Sequence, residues 1–305
     1  MKSATIFHNP KAGEGELDKK KLVSLLEKAG YDCSYISTKK TGWDENEPAE
    51  NDLIVLAGGD GTVRKVAGNL LDRCSTIGLL PLGTANNIAK TLGIGGSAES
   101  IIQSWTKSNK KKFDIGRIYG LKETAFFLEG LGYGAFPKLM KRMNAIEHRQ
   151  SNSPEKNLKL ALEELHDIIL NMKSRQCRVS IDGSDHSGKF ILVEVMNTQS
   201  IGPNLNLASF ADPGDGTFEV ILISERQREE FASYVHHKLH GIDQPPIFNI
   251  LKAKNLEIYW EGELMHVDDE IIELKEAKDV KIKIQEGVLE FLIPQVEDSQ
   301  EKKMT

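Results

Sequence analysis

The sequence predicts an α/β N-terminal domain followed by an antiparallel, β-rich C-terminal domain, and three observations carry that expectation. The first third alternates short apolar runs with amphipathic helical runs, the pattern of a parallel sheet with crossover helices. Two of its strands run directly into glycine-rich turns that open helices, GGDGT at 58–62 and PLGTANN at 81–87. From about Phe113 the pattern changes to short alternating segments, among them FDIGRIY, CRVSI, KFILVEVM, GTFEVILI and VKIKI, which is how antiparallel strands read. The expected boundaries are 1–117 for the first domain, 118–294 for the second and 295–305 for a charged, polar tail.

The elements follow in order. Ser3 to His8 forms a strand, and Leu17 to Ala29 a helix with Leu22, Leu25, Leu26 and Ala29 on one face and Gly30 closing it. Tyr31 to Ser37 is the next strand, and the polar stretch from Thr38 to Asn51 is too short for another helix, which leaves that sheet face less covered. Leu53 to Ala57 is continuously apolar, as a strand buried on both faces must be. Helices follow from Thr62 to Leu71 and from PLGTANN to about Gly93, with the strand Ile77 to Leu80 between them. In the second part, two helices interrupt the strands, at 154–173 and 226–240.

Composition bounds the function. The 305 residues are 39% hydrophobic and 28% charged. No run approaches the roughly 20 apolar residues that cross a bilayer. The chain begins with a strand pattern rather than a basic and apolar leader, so a soluble, cytoplasmic protein is expected. A net charge of −6 argues against a general nucleic-acid binder. Cys33, Cys74 and Cys177 are odd in number and widely spaced, as reduced structural thiols are.

The GGDGT segment combines a buried strand end, backbone freed by Gly58, Gly59 and Gly61, and a helix start, a place suited to phosphate oxygens. Asp60 beside phosphates implies a cation or water between them, hence magnesium. The same residues also fit a tight turn with Asp60 as a cap. The second turn should lie on the same carboxyl edge of the sheet, where ligands of open α/β sheets bind, with Thr84, Asn86 and Asn87 as polar groups; simple capping fits it equally. PGDG at 213–216 reads first as a β-turn, and His266 with Asp268, Asp269 and Glu270 as a charged hairpin turn. His236 and His240 stand at zinc-compatible spacing but lack an acidic partner in the motif, so a solvated or packed helix is expected. Pro137 to Arg149 mixes Leu139, Met140, Met143 and Ile146 with Lys138, Lys141, Arg142 and Arg149, either an ordinary surface helix or one lying on an anionic membrane.

With NPKAG at 9–13, GGDGT at 58–62, LPLGTANN at 80–87, FDIG at 113–116, GPNLNLASFADPGDGTFEV at 202–220 and VDDE at 267–270, the chain resembles the bacterial diacylglycerol kinase and lipid kinase family, related to sphingosine kinases and NAD kinases. The resemblance covers nearly the whole chain. It implies a Rossmann-like, three-layer N-terminal domain, a C-terminal β-sandwich and ATP in the cleft between them. Nucleotide contacts are implied for Asn9, Thr38, Gly58, Gly59, Asp60, Gly61, Thr62, Val63, Arg64, Gly83, Thr84 and Asn86. Glu270 is implied as the general base, Asp60 and Asp114 as acids of the active-site magnesium and water network, and Asp212, Asp215 and Thr217 as a magnesium site. The implied partners are ATP and a lipid acceptor at a membrane surface, with peripheral membrane attachment and a homodimer left open.

Three departures from relatives fall at four positions: Arg64 and Lys65 replace an Asn-Glu pair, Asn87 replaces an Asp, and Asp269 replaces the glycine before the base. The resulting expectation is transfer of the ATP γ-phosphate to a lipid hydroxyl, diacylglycerol first. Phosphatidylglycerol or a sphingoid base is the alternative acceptor, and a nucleotide- or lipid-binding regulator without catalysis the alternative class.

Overall fold

Apolar runs bounded by glycine turns fold as strands in the computed structural model, which describes residues 2–15, 17–46, 48–49, 52–71, 73, 75–147, 153–242, 244–246 and 248–295. The chain divides into two units, Met1–Phe113 with Val288–Thr305, and Asp114–Gly287. The division falls between Phe113 and Asp114, whereas the sequence reading placed it after residue 117, and residues from Val288 onward return to the first unit. A contiguous division could not anticipate that return.

In chain order the elements are β1 (Lys2–His8), α1 (Lys19–Lys28), β2 (Tyr31–Ser37), β3 (Leu53–Gly58), α2 (Asp60–Ala67), β4 (Thr76–Pro81), α3 (Asn87–Thr91), α4 (Ala98–Ser104) and β5 (Asn109–Tyr119). In the first unit β2, β1, β3 and β4 pair in that order, all parallel. Glu290 and Phe291 of the C-terminal strand add a further parallel pairing to β4. Phe291 lies 5.3 Å, ring to ring, from Phe113. Ile54, Val55, Leu56 and Ala57 of β3 are fully buried, as expected for a strand covered on both faces. Helix α1 is capped by Asp18, whose carboxylate accepts the Lys21 N–H at 2.8 Å, and Gly30 at φ 88° ends it. Between β2 and β3 the described residues form a single 3₁₀ turn at Trp43–Glu45. On the face expected to be less covered, Trp43 packs edge-on against Phe7, with ring centroids 6.2 Å apart. Asn69 and Arg73 hold the segment by donating to the Asp44 and Pro48 carbonyls. Helix α2 starts and ends earlier than the expected 62–71.

The second unit continues with β6 (Phe126–Phe127), β7 (Gly130–Gly134), α5 (Ala135–Glu147), α6 (Pro154–Asn171), β8 (Arg175–Ile181), β9 (Ser184–Asp185), β10 (Gly188–Met196), β11 (Ser200–Ile201), β12 (Leu205–Asn206), β13 (Phe218–Ser224), α7 (Arg228–Leu239), β14 (Ile250–Ala253), β15 (Asn255–Trp260), β16 (Leu264–Val267), β17 (Glu270–Glu273) and β18 (Asp279–Ile293). Its pairing is antiparallel. Strand β10 is central: Leu192–Met196 lies between β7 and β13, while Gly188–Phe190 pairs with β8 after a register shift near Phe190. Alternation along β13 feeds two cores. Phe218 and Val220 join Tyr133, Val193 and Trp260, whereas Ile221 and Ile223 join Phe136, Leu165, Ile169 and Phe231 from the helices. Cys33 and Cys177 are free thiols, and burial pushes them up to about 11 and about 12. Cys74, residues 148–152 and the tail from 296 lie outside the described residues.

Gly78 of β4 carries a specific packing requirement, since a Cβ there would sit 2.7 Å from the Trp105 ring. Gly78→Ala should lower stability by about 1–3 kcal/mol, read as a lower thermal midpoint.

Candidate active site

The carboxyl ends of β1, β3 and β4 bring the predicted nucleotide residues together. After β1, the Asn9 N–H donates to Ala57 O at 2.9 Å, and its side-chain amide lies 3.5 Å from the Thr62 hydroxyl. Thr38, just past β2, donates its N–H and its hydroxyl to the His8 carbonyl, at 2.9 and 3.2 Å. His8 itself is buried beside the Tyr35 hydroxyl, and burial pushes its imidazole pKa down.

The two glycine-rich turns touch through their backbones. A Cβ on Gly83 would lie 2.5 Å from Gly59 Cα, and one on Gly59 would lie 2.9 Å from Gly83 Cα. Gly58 is equally constrained, because a Cβ there would strike Thr62 at 2.5 Å. Asp60 ties the turns together: its carboxylate accepts the N–H groups of Asn87 at 2.9 Å and Ile88 at 3.1 Å. It therefore caps α3, in the other turn, while Gly59 occupies the N-cap of α2. Burial pushes the Asp60 carboxyl up against the opposing pull of those amides. Asn86 stands at φ 50° and closes its own turn, accepting from Gly83 N at 2.9 Å and donating to Gly83 O at 2.6 Å. Thr84 is exposed, Val63 is in the core, Arg64 is only 8% exposed, and Lys65 is exposed. In the first turn of α2 the Thr62 and Val63 N–H groups donate to the Gly59 carbonyl, at 2.8 and 3.1 Å.

In the second unit, Asp114 is buried and its two carboxylate oxygens accept from Gly287 N at 2.7 Å and Gly216 N at 2.9 Å. Burial raises its pKa against those two donors. The loop it holds carries Asp212, Asp215 and Thr217. Asp215 accepts the Thr217 N–H and hydroxyl at 2.9 and 2.7 Å and the Lys252 ammonium at 2.6 Å. Burial opposes ionisation there, but Lys252 and Thr217 hold the carboxyl below its ordinary value. Beside it Glu219 is 2% exposed with neither carboxylate oxygen hydrogen-bonded, and burial pushes it up to about 7.

Glu270 opens β17, opposite Val267, so VDDE is indeed a two-residue hairpin turn. The turn is pinned by Asp268, at φ 51°, whose carboxylate accepts from Leu128, Glu129 and Gly130 N–H groups at 2.7 to 3.1 Å. Asp269 is not among the residues with positive φ, so the glycine of relatives is not needed at that position. Sequence reasoning placed Asp268 in the hairpin turn but missed what it holds, because its partners lie some 140 positions away. It also missed Asn197, whose amide donates to the Asp114 and Leu128 carbonyls, both at 2.9 Å. Glu194, a charge inside the apolar run ILVEVM, was the available signal for a buried polar group.

Two other sequence features resolve into local packing. On α5, Lys141 pairs with Glu273 at 2.7 Å and Arg142 with Glu164 and Asp167 at 2.8 and 2.6 Å, which compensates much of the positive face. His240 Nδ1 meets the His236 carbonyl at 2.8 Å at the end of α7.

Residues 3–118 match the family model described as diacylglycerol kinase catalytic domain, and residues 141–273 match that of the YegS C-terminal NAD kinase beta sandwich-like domain. A diacylglycerol kinase of Bacillus subtilis (strain 168) is 30% identical over 263 residues, 79% of this chain and 80% of the relative. One from Staphylococcus aureus (strain JH9) is 25% identical over 287 residues, 86% of each. A solved diacylglycerol kinase structure from Bacillus anthracis str. Sterne superposes with a TM-score of 0.69 at 21% identity, covering 96% of both chains, which is a likeness of fold.

The contact between the turns has a direct test. Gly83→Ala should cost about 1–3 kcal/mol of stability because backbone must move. Gly95→Ala, where a Cβ meets nothing within 4 Å, should leave the thermal midpoint near that of the unsubstituted protein.

Proposed function

The chain belongs to the diacylglycerol kinase family, and from that membership we propose that it transfers the γ-phosphate of ATP to a lipid hydroxyl, diacylglycerol first, giving phosphatidic acid. The observation that carries this reading is the pair of interlocked glycine turns at the carboxyl ends of parallel strands, the place where open α/β sheets hold phosphates. Gly58, Gly59, Gly61, Thr62, Val63 and Arg64, with Gly83, Thr84 and Asn86, would present backbone and polar groups to the ATP phosphates. Asn9 and Thr38 would border them. Asp60 holds the second turn in place, and each of its oxygens retains a lone pair for a magnesium-bound water.

Phosphoryl transfer asks the protein mainly for positioning and charge stabilisation. Glu270 would accept the proton of the attacking lipid hydroxyl, and Asp114 would hold the 213–217 loop through Gly216. Magnesium, when bound, neutralises phosphate charge. A second cation fits the loop by charge: Asp212, Asp215 and the unsatisfied Glu219 face Lys252 as the nearby cation. Among the described residues no three Asp, Glu, His or Cys side chains converge as metal ligands, so the proposed set is the Asp215 carboxylate with the Asp212 and Thr217 carbonyls. No helix of the described residues is long and apolar enough to cross a membrane. Phe210, 89% exposed just before this loop, offers an apolar contact for a lipid at the surface of a membrane.

A panel of diacylglycerol, phosphatidylglycerol and sphingoid base in detergent, with radiolabelled ATP and magnesium, tests the proposal. Labelled phosphatidic acid is expected, and Glu270→Gln should lower its rate by about 10²-fold or more. ATP binding with no labelled lipid would instead favour a regulator, and an unchanged rate in Glu270→Gln would remove that residue as the base.

A further inference from the structure

The second unit buries an ionisable pair that the donor site does not use. Glu194 on β10 is fully buried, and His266 on β16 is 1% exposed. The His266 Nε2 lies 2.9 and 3.1 Å from the two Glu194 oxygens, and its Nδ1 lies 3.0 Å from the Asp268 carbonyl. A carbonyl only accepts, so Nδ1 carries a hydrogen, and a single further proton is shared between Nε2 and Glu194. Burial works to lower the imidazole pKa, but the Glu194 carboxylate beside it raises it above its ordinary value. The pair is neutral overall in either arrangement.

Strand β7 is shaped around this pair. A Cβ on Gly132, which stands opposite His266, would lie 1.9 Å from Glu194 Oε2, and one on Gly130 would lie 3.4 Å from Oε1. Buried pairs of this kind rarely stabilise a fold more than apolar residues of similar volume, so stability does not explain it. What the pair reaches is the turn before Glu270. Asp268 has every polar group held: its N–H donates to Gly130 O at 2.8 Å, its carboxylate collects three N–H groups, and its carbonyl receives His266 Nδ1–H. Two residues later the chain delivers Glu270.

We propose that Glu194 and His266 are positioning residues that fix the turn presenting Glu270 to the acceptor hydroxyl. This rests on the reading of Glu270 as the general base. The imidazole sets the direction of the Asp268 carbonyl, and Glu194 sets the imidazole. The left-handed Asp268 then has one orientation, and the Glu270 backbone follows from it.

The test replaces the pair by apolar residues, Glu194→Leu with His266→Leu, in the full-length protein. The double variant is expected to melt at or above the temperature of the unsubstituted protein. Its kcat for lipid phosphorylation should nonetheless fall about 10–100-fold, with the KM for Mg·ATP unchanged, since a misplacement near 1 Å has that scale of effect. Glu194→Gln can donate its amide N–H to the bare Nε2 of a neutral imidazole that keeps its hydrogen on Nδ1, and should retain kcat within about threefold, a loss of under roughly 0.7 kcal/mol in the barrier. If the double variant does not fold, His266→Gln, which keeps a donor toward Glu194 and loses the contact to Asp268, must show the same fall in kcat alone. Wild-type kcat in whichever of these variants is folded, or a loss matched by a higher KM for Mg·ATP, overturns the proposal. Glu270→Gln is measured alongside. If it keeps full activity, the general-base reading fails and the positioning role with it; if it is inactive while the pair variants stay active, only the positioning role fails.

Discussion

The contact between Gly59 and Gly83 governs the first unit. Two turns from separate strands can share the carboxyl edge of a parallel sheet only if neither has a side chain at the point of crossing, and both positions are glycine. Once the backbones meet, the N-terminus of α3 comes within reach of Asp60, which accepts two of its N–H groups. Sheet order, turn chemistry and helix capping therefore reinforce one another, and a phosphate-sized opening bordered by backbone donors is what the proposed activity requires.

Aspartates that collect backbone N–H groups recur through the molecule. Asp60 serves Asn87 and Ile88, Asp114 serves Gly216 and Gly287, Asp182 serves Lys254 and Asn255, and Asp268 serves Leu128, Glu129 and Gly130. Hydrogen bonds to a charged group contribute about 1.5–3 kcal/mol each when well made, more than neutral ones. Each of these carboxylates joins segments distant in sequence or steadies a turn. The loops nearest the proposed chemistry are thus held by side chains rather than by regular secondary structure.

Much of this was legible in the sequence. Leu53–Ala57 running into GGDGT could only be a buried strand entering a turn, and the alternation from Phe113 onward announced antiparallel strands. Local rules suffice where the signal is periodicity or glycine. They did not show that Asp60 caps the other turn's helix, because a cap in its own turn fits the same residues. Nor did they show that Trp43 packs against Phe7 of β1, since a single aromatic in a polar stretch carries no period. The VDDE turn drew attention to Glu270, yet Asp268 holds the structure there through partners about 140 residues earlier. The return of the C-terminal strand to β4 is likewise a tertiary fact, set by Phe291 meeting Phe113.

Amide hydrogen exchange with and without Mg·ATP tests the phosphate grip most directly. If the interlocked turns hold the donor, nucleotide slows exchange at residues 59–64 and 83–88 together, while α7 in the second unit keeps its own rate. Protection confined to other segments, with both turns unchanged under saturating nucleotide, would contradict it.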